Sequence, residues 1–117
     1  MVEEKKTRWC KICGVTSPKD GRILSEIGVS AIGLMFYQDS DRYVSYERAK
    51  RVSDEIKSVN PSVRTVGVFV NPTIDMVGDA IAKVGVDMLQ FHGSESPSFC
   101  ANFGLPYIKS VLSLIHI

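Results

Sequence analysis

Along the chain, short runs that are apolar at nearly every position trade places with longer stretches in which apolar residues recur every three or four positions. A run without polar alternation marks a strand covered on both faces, and the longer period marks a helix with one covered side. The first run, RWCKIC at 8–13, stops at Gly14. Ser17 then caps a helix, with Pro18 at its first position and Asp20 closing a capping box, and Gly28 ends it in the left-handed conformation. SAIGLMF at 30–36 is the second strand. From Ser45 the apolar face is Tyr46, Ala49, Val52, Ile56 and Val59, while Glu47, Arg48, Lys50, Arg51, Asp54, Glu55 and Lys57 fall elsewhere, until Asn60-Pro61 ends the helix. RTVGVFV at 64–70 is a third strand, closed by Asn71-Pro72. Ile74, Val77, Ile81 and Val84 mark a helix ending at Gly85, and VDMLQF at 86–91 is the fourth strand. Ser96-Pro97 opens a last helix that should stop near Gly104, before a fifth strand at 106–111.

Strand and helix therefore alternate to a fifth strand, which predicts a parallel sheet with right-handed crossovers. GVSAIGLMF from Gly28 and GVDMLQF from Gly85 echo each other faintly, as repeated βα units would. Two architectures fit: an open doubly wound sheet, and part of a (β/α)8 barrel. At 117 residues the length favours the first, since a barrel takes about 250. In either fold the chemistry collects at the carboxyl ends of the strands, here Cys13-Gly14, Tyr37-Gln38, Asn71 and His92-Gly93.

Composition narrows the class. With 44% apolar residues, 23% charged residues and a formal charge of +1, the chain has the profile of an ordinary globular protein and offers no support for nucleic-acid binding. The opening MVEEKKTRW leads into no apolar signal region, and no later run approaches the roughly 18 apolar residues of a membrane span, so a cytoplasmic location without membrane contact is expected. Three cysteines are too few and too odd for a disulfide framework, so reduced thiols are expected.

Cys10 and Cys13 raise the question of a redox or metal pair. In a strand, side chains alternate between faces, so Trp9, Lys11 and Cys13 share one face and Cys10 and Ile12 the other. The two thiols do not meet easily, and a zinc site would have to recruit from Cys100, His92 and His116. Cys13 stands at the functional end of its strand, either as a small buried hydrophobe or as a working thiol. Lys11, roughly 7 Å away on the same face, favours the thiolate by at most about 2.4 kcal/mol at an effective dielectric near 20.

The strand-end segments KICGVTSPKD from Lys11, IGLMFYQDSDRYVS from Ile32, VGVFVN from Val66 and LQFHGSES from Leu89 together resemble the amino-terminal half of the phosphoribosylanthranilate isomerase family. The resemblance runs to about Val111 and implies a (β/α)8 TIM barrel, incomplete here, with about four βα units plus a fifth strand. It implies an Amadori rearrangement of N-(5-phosphoribosyl)anthranilate to 1-(2-carboxyphenylamino)-1-deoxyribulose 5-phosphate in tryptophan biosynthesis, without a cofactor. By the same resemblance Cys13 is the base, Arg42 binds the anthranilate carboxylate, His92 and Gln90 line the pocket, and Lys11 supports Cys13. The family's general acid, an aspartate ending the sixth strand, has no counterpart here; Asp39, Asp41 and Asp75 do not match it. Its phosphate loops follow later strands. Gln38 replaces a proline common in relatives and would loosen the approach of Arg42. Asn71 is expected to cap the following turn or helix.

The competing classes fare less well. A flavodoxin-like phospho-receiver needs carboxylates at the first and third strand ends, which carry Cys13-Gly14 and Val70-Asn71 instead. The early lysines and glutamate of an indole-glycerol-phosphate synthase relative are not apparent. Residues 112–117, LSLIHI, depart from the family and can be encoded by CTG TCT CTT ATA CAC ATC, which matches a transposon end used in sequencing libraries. The expectation is a family segment at 1–111 followed by a non-native tail in which His116 has no role. Such a half barrel, with two open edges, should be inactive alone and prone to self-association.

Overall fold

The computed structural model describes residues 9–110; Arg8, Val111, the tail at 112–117 and His116 lie outside them. The strands are β1 (Lys11–Cys13), β2 (Ala31–Met35), β3 (Arg64–Phe69), β4 (Met88–Phe91) and β5 (Tyr107–Lys109). The helices are α1 (Pro18–Ile27), α2 (Tyr46–Val59), α3 (Ile74–Asp79) and α4 (Pro97–Cys100). Two expected helices change character near their ends. After α3 the chain widens into a π turn, Ala80–Val84, and after α4 it tightens into a 3-10 turn, Ala101–Phe103, before Gly104 turns it left-handed. The caps fall where Ser17, Ser45 and Ser96 accept from the amides of Asp20, Arg48 and Phe99.

All neighbouring strands are parallel and their spatial order is β1-β2-β3-β4-β5. This order decides between the two architectures. A doubly wound sheet reverses its strand order once and carries helices on both faces, whereas an unreversed order with right-handed crossovers puts every helix on one face. The core obeys the second rule. Ile32, Leu34, Phe69, Leu89 and Phe91 pack with Ala49, Val52 and Ile56 of α2, Val77 of α3 and Cys100 of α4, while Ala31, Val66 and Val68 form a separate buried cluster with Met35 and Met88 against it. The chain is thus an incomplete α/β barrel, with its helices outside. Among the described residues no helix is long and apolar enough to cross a membrane.

Aromatic rings close the outer layer beneath the carboxyl ends. Phe36 stacks on Phe69 at 5.4 Å, Phe69 on Phe91 at 5.9 Å, and Phe91 meets Phe99 edge-on at 5.8 Å. Each such pair adds about 0.5–1.5 kcal/mol beyond its burial, so the rim stands on a rigid floor. The opposite edge is held by charge. Lys57, near the end of α2, donates to Val63 O at 2.7 Å and to Asp87 Oδ2 at 2.5 Å. The same oxygen accepts from Thr65 N at 2.9 Å, so one carboxylate ties α2, β3 and the approach to β4.

Partial burial works against the charge on Asp87, but hydrogen bonds from Lys57 and Thr65 outweigh it and hold the carboxyl below the usual aspartate range. A carboxyl depressed on folding stabilises the fold above its unfolded value and loses that contribution as pH falls through its folded one. Asp87→Asn should therefore destabilise the chain by about 1–2 kcal/mol at pH 7, with the gap to the parent closing as urea melts are repeated below about pH 4. A gap that stays constant down to pH 2 would remove this role from Asp87.

Candidate active site

Cys13 ends β1 with its Cα opposite Gly33, and the side chain lies over that glycine. A Cβ at Gly33 would stand 3.0 Å from Cys13 Sγ and 3.3 Å from Val68 Cγ2, so the missing side chain is what gives the thiol room. Cys13 is exposed, which removes the reading of a buried small hydrophobe; that description fits Cys100. Cys10 is also exposed and unpaired, and its backbone N–H donates to Ser30 Oγ at 2.9 Å. Among the described residues no three His, Cys, Asp or Glu side chains converge as metal ligands would. Lys11 lies one pleat below Cys13, opposite Ala31 and half-buried.

At Gly14 the backbone turns with φ of 86°, a conformation that favours glycine. The side chain of Arg42 crosses the face this turn exposes: a Cβ on Gly14 would stand 2.7 Å from Arg42 Nη1 and 3.1 Å from its Cγ. Arg42 therefore reaches the end of β1 from the loop after β2. Ser40 directs that reach. Its hydroxyl accepts from Arg42 N at 3.0 Å, its carbonyl accepts from Tyr43 N at 3.1 Å, and buried Val44 fastens the loop by donating to Met35 O at 3.0 Å. Gln38 is exposed in the same loop. Cys13, Gly14, Asp20 and Arg42 line a cleft of about 270 Å³. Among the described residues no carboxylate lies within ion-pair distance of the Arg42 guanidinium.

Gln90 and His92 stand farther along the rim, three strands from Cys13, and alternation puts them on the inner face with Met88. Gln90 pairs with Val68 on one side and Ile108 on the other. Its Nε2 donates to Ser110 Oγ at 2.8 Å, leaving Oε1 buried without a hydrogen-bond partner among the described residues. His92 is half-buried, and its backbone N–H donates to Phe69 O at 2.8 Å. The structure thus gathers Cys13 and Arg42 into one cleft and sets Gln90 and His92 apart on the same edge.

Asn71 departs from the sequence expectation. The cap of α3 is Thr73, which accepts from Met76 N at 3.1 Å. Asn71 adopts φ of 46°, and its Oδ1 accepts from Ser94 N at 2.9 Å and from Ser94 Oγ at 3.1 Å. An amide oxygen that could cap its own helix is instead spent on the loop after β4. Glu95 and Lys109 join this tie, with Lys109 Nζ 2.7 Å from Glu95 Oε1. Sequence reasoning missed Ser40, Glu95 and Lys109; the only signal was the place of Glu95 inside HGSES, two residues beyond the strand-end glycine.

An exposed thiol beside a guanidinium with no ion-pair partner among the described residues suits proton abstraction from a substrate anchored by a planar carboxylate. Comparison with known proteins places the chain as a whole. The model of the N-(5'-phosphoribosyl)anthranilate (PRA) isomerase family matches residues 10–113. The N-(5'-phosphoribosyl)anthranilate isomerase of Nitrosomonas eutropha is 48% identical over 101 residues, covering 86% of this chain and 47% of its own length. That of Nitrosomonas europaea is 46% identical over 101 residues, covering 86% of this chain and 46% of its own. Among solved structures, the phosphoribosyl anthranilate isomerase of Thermotoga maritima superposes with a TM-score of 0.77 at 34% identity, covering 88% of this chain and 50% of the other. Another, crystallised with reduced 1-(o-carboxyphenylamino)-1-deoxyribulose 5-phosphate, has a TM-score of 0.77 at 36% identity, covering 88% of this chain and 53% of the other. The chain spans about half the length of the curated relatives it matches.

The interlock of the two loops is open to test. A Cβ at Gly93 would stand 2.7 Å from Asn71 Oδ1, an atom already held by Ser94. Gly93→Ala should therefore cost about 1–3 kcal/mol in urea unfolding through overpacking. A variant as stable as the parent would show that the loops are not interlocked.

Proposed function

The chain belongs to the N-(5'-phosphoribosyl)anthranilate isomerase family, and on that premise we propose that it carries the base-bearing half of an enzyme that converts N-(5-phosphoribosyl)anthranilate to 1-(2-carboxyphenylamino)-1-deoxyribulose 5-phosphate in tryptophan biosynthesis. The observation that carries this reading is the meeting of Cys13 and Arg42 across Gly14 at the carboxyl rim. In the reaction, an acid opens the ribose ring to an imine, and a base removes the proton from the sugar C2. The resulting enolamine then tautomerises to the ketone.

Cys13 is the base in this account, because it is the rim thiol with space around it and a cation one pleat below. Arg42 takes the anthranilate carboxylate through two parallel hydrogen bonds, which fix the ring's angle relative to Cys13. Gln90 and His92 line the far side, where the unpartnered amide oxygen of Gln90 is an acceptor for a substrate hydroxyl or N–H. The general acid and phosphate loops belong to strands beyond β5, as the family pattern places them, and the enzyme works in the cytoplasm. The alternative of a flavodoxin-like binding domain is not retained, since the strand order is unreversed. Among the described residues β1 and β5 each have one unpaired side, so the chain by itself is proposed to associate through these edges.

Joining residues 10–110 to the carboxyl-terminal half of the Nitrosomonas eutropha relative should yield a protein that restores growth to a tryptophan auxotroph lacking the isomerase, whereas the chain alone should not. In that chimera Cys13→Ala should lower kcat by about 10²–10⁴-fold, the usual contribution of a positioned base, and Arg42→Lys should mainly raise KM. Full turnover without the thiol would end the proposal. For association, gel filtration of the 117-residue chain at micromolar concentration should show species larger than 12.9 kDa. A monomer that melts cooperatively would contradict it.

A further inference from the structure

The rim holds a second assembly that proton abstraction leaves unused. The side chain of Glu95, in the loop after β4, is only 3% exposed. Its carboxylate takes donors from three segments: Asn71 N at 2.7 Å on Oε2, and Gly93 N at 3.0 Å and Lys109 Nζ at 2.7 Å on Oε1. Lys109 also donates to Gly93 O. Asn71 returns the contact through Ser94, so the ends of β3, β4 and β5 are joined around one buried charge. Burial alone would oppose that charge, but the Lys109 ammonium and the backbone donors outweigh it and hold the carboxyl below the usual glutamate range.

The consequence falls on His92. Its own N–H is fixed to Phe69 O, and the next residue, Gly93, is held at both its N–H and its C=O by Glu95 and Lys109. His92 is thus clamped from both sides, and a glycine on one side leaves no side chain to resist rotation if the clamp opens. Cys13 and Arg42 lie outside this assembly, on β1 and the loop after β2. We propose that Glu95 is a positioning residue, with Lys109 as its counter-charge: it aims His92 into the pocket and so sets how tightly substrate is held, not how fast its proton moves. This rests on the reading of His92 as a pocket residue given above.

Two arms test it. In the 117-residue chain, amide hydrogen exchange at Asn71 and Gly93 should accelerate at least about tenfold in Glu95→Gln, with displaced ring resonances of His92, because both amides lose a charged acceptor. In the chimera, the same substitution should raise KM about tenfold and leave kcat within about twofold, the pattern of lost binding that is equal in ground and transition states. Lys109→Met, which leaves the carboxylate its backbone donors, should move KM in the same direction by less. The pair together should do little more than Glu95→Gln alone, since both act through one tie.

Unchanged exchange at both amides would overturn the proposal, as would a lowered melting temperature with unchanged KM. A fall in kcat at constant KM would overturn it too, by making Glu95 a group in the proton transfer. An inactive parent chimera would defeat the proposed reaction, while the exchange arm would still decide whether Glu95 holds His92.

Discussion

Every feature of the rim descends from the unreversed parallel pairing of the five strands. That pairing puts all helices outside, sets Cys13 opposite Gly33, and brings the loops after β2, β3 and β4 to one edge. Register matters as much as order. A one-residue slip of β1 would turn Cys13 to the outer face and Ile12 to the inner one, removing the thiol from Gly33 and from Arg42. Gly33 and Gly14 are therefore as much a part of the site as the side chains they admit: one makes space for the sulfur, the other for the guanidinium.

The two edges of the sheet divide the work. At the amino edge, Lys57, Thr65 and Asp87 form a compact ionic tie, suited to holding α2 against the strands. At the carboxyl edge, Arg42 is left without a carboxylate among the described residues, while Glu95 and Lys109 neutralise each other at the ends of β4 and β5. A paired charge fixes geometry, whereas a guanidinium with no ion-pair partner among the described residues suits a carboxylate from outside.

Much of the fold was legible because it rests on local rules. Ser17 capped its helix and Gly28 took the left-handed turn assigned to it, while the helix boundaries read at Ser45, Gly85 and Ser96 proved to be a serine cap, a left-handed glycine and a second serine cap. Alternation put Cys13 on one face with Lys11, and the pairing with Gly33 shows that this face is the inner one. Strand order could not be read this way, and length pointed to the wrong architecture until the rim motifs were weighed together. Asn71 shows the same limit at the scale of one side chain. Locally it is a good cap, but the loop after β4 offers Ser94 as partner, and Thr73 takes the cap instead. Glu95 and Lys109 are 14 residues apart, and nothing in either neighbourhood announces the other.

The central claim is that the sulfur of Cys13 faces the carbon that loses its proton while Arg42 holds the carboxylate at the other end. The most direct measurement is a crystal structure of the completed barrel with reduced 1-(o-carboxyphenylamino)-1-deoxyribulose 5-phosphate bound. The account predicts Cys13 Sγ within about 3.5 Å of the sugar C2, the reach of a near-attack geometry, and Arg42 paired to the carboxylate through two hydrogen bonds. A ligand whose C2 lies closest to another side chain, with Cys13 turned away, would contradict it.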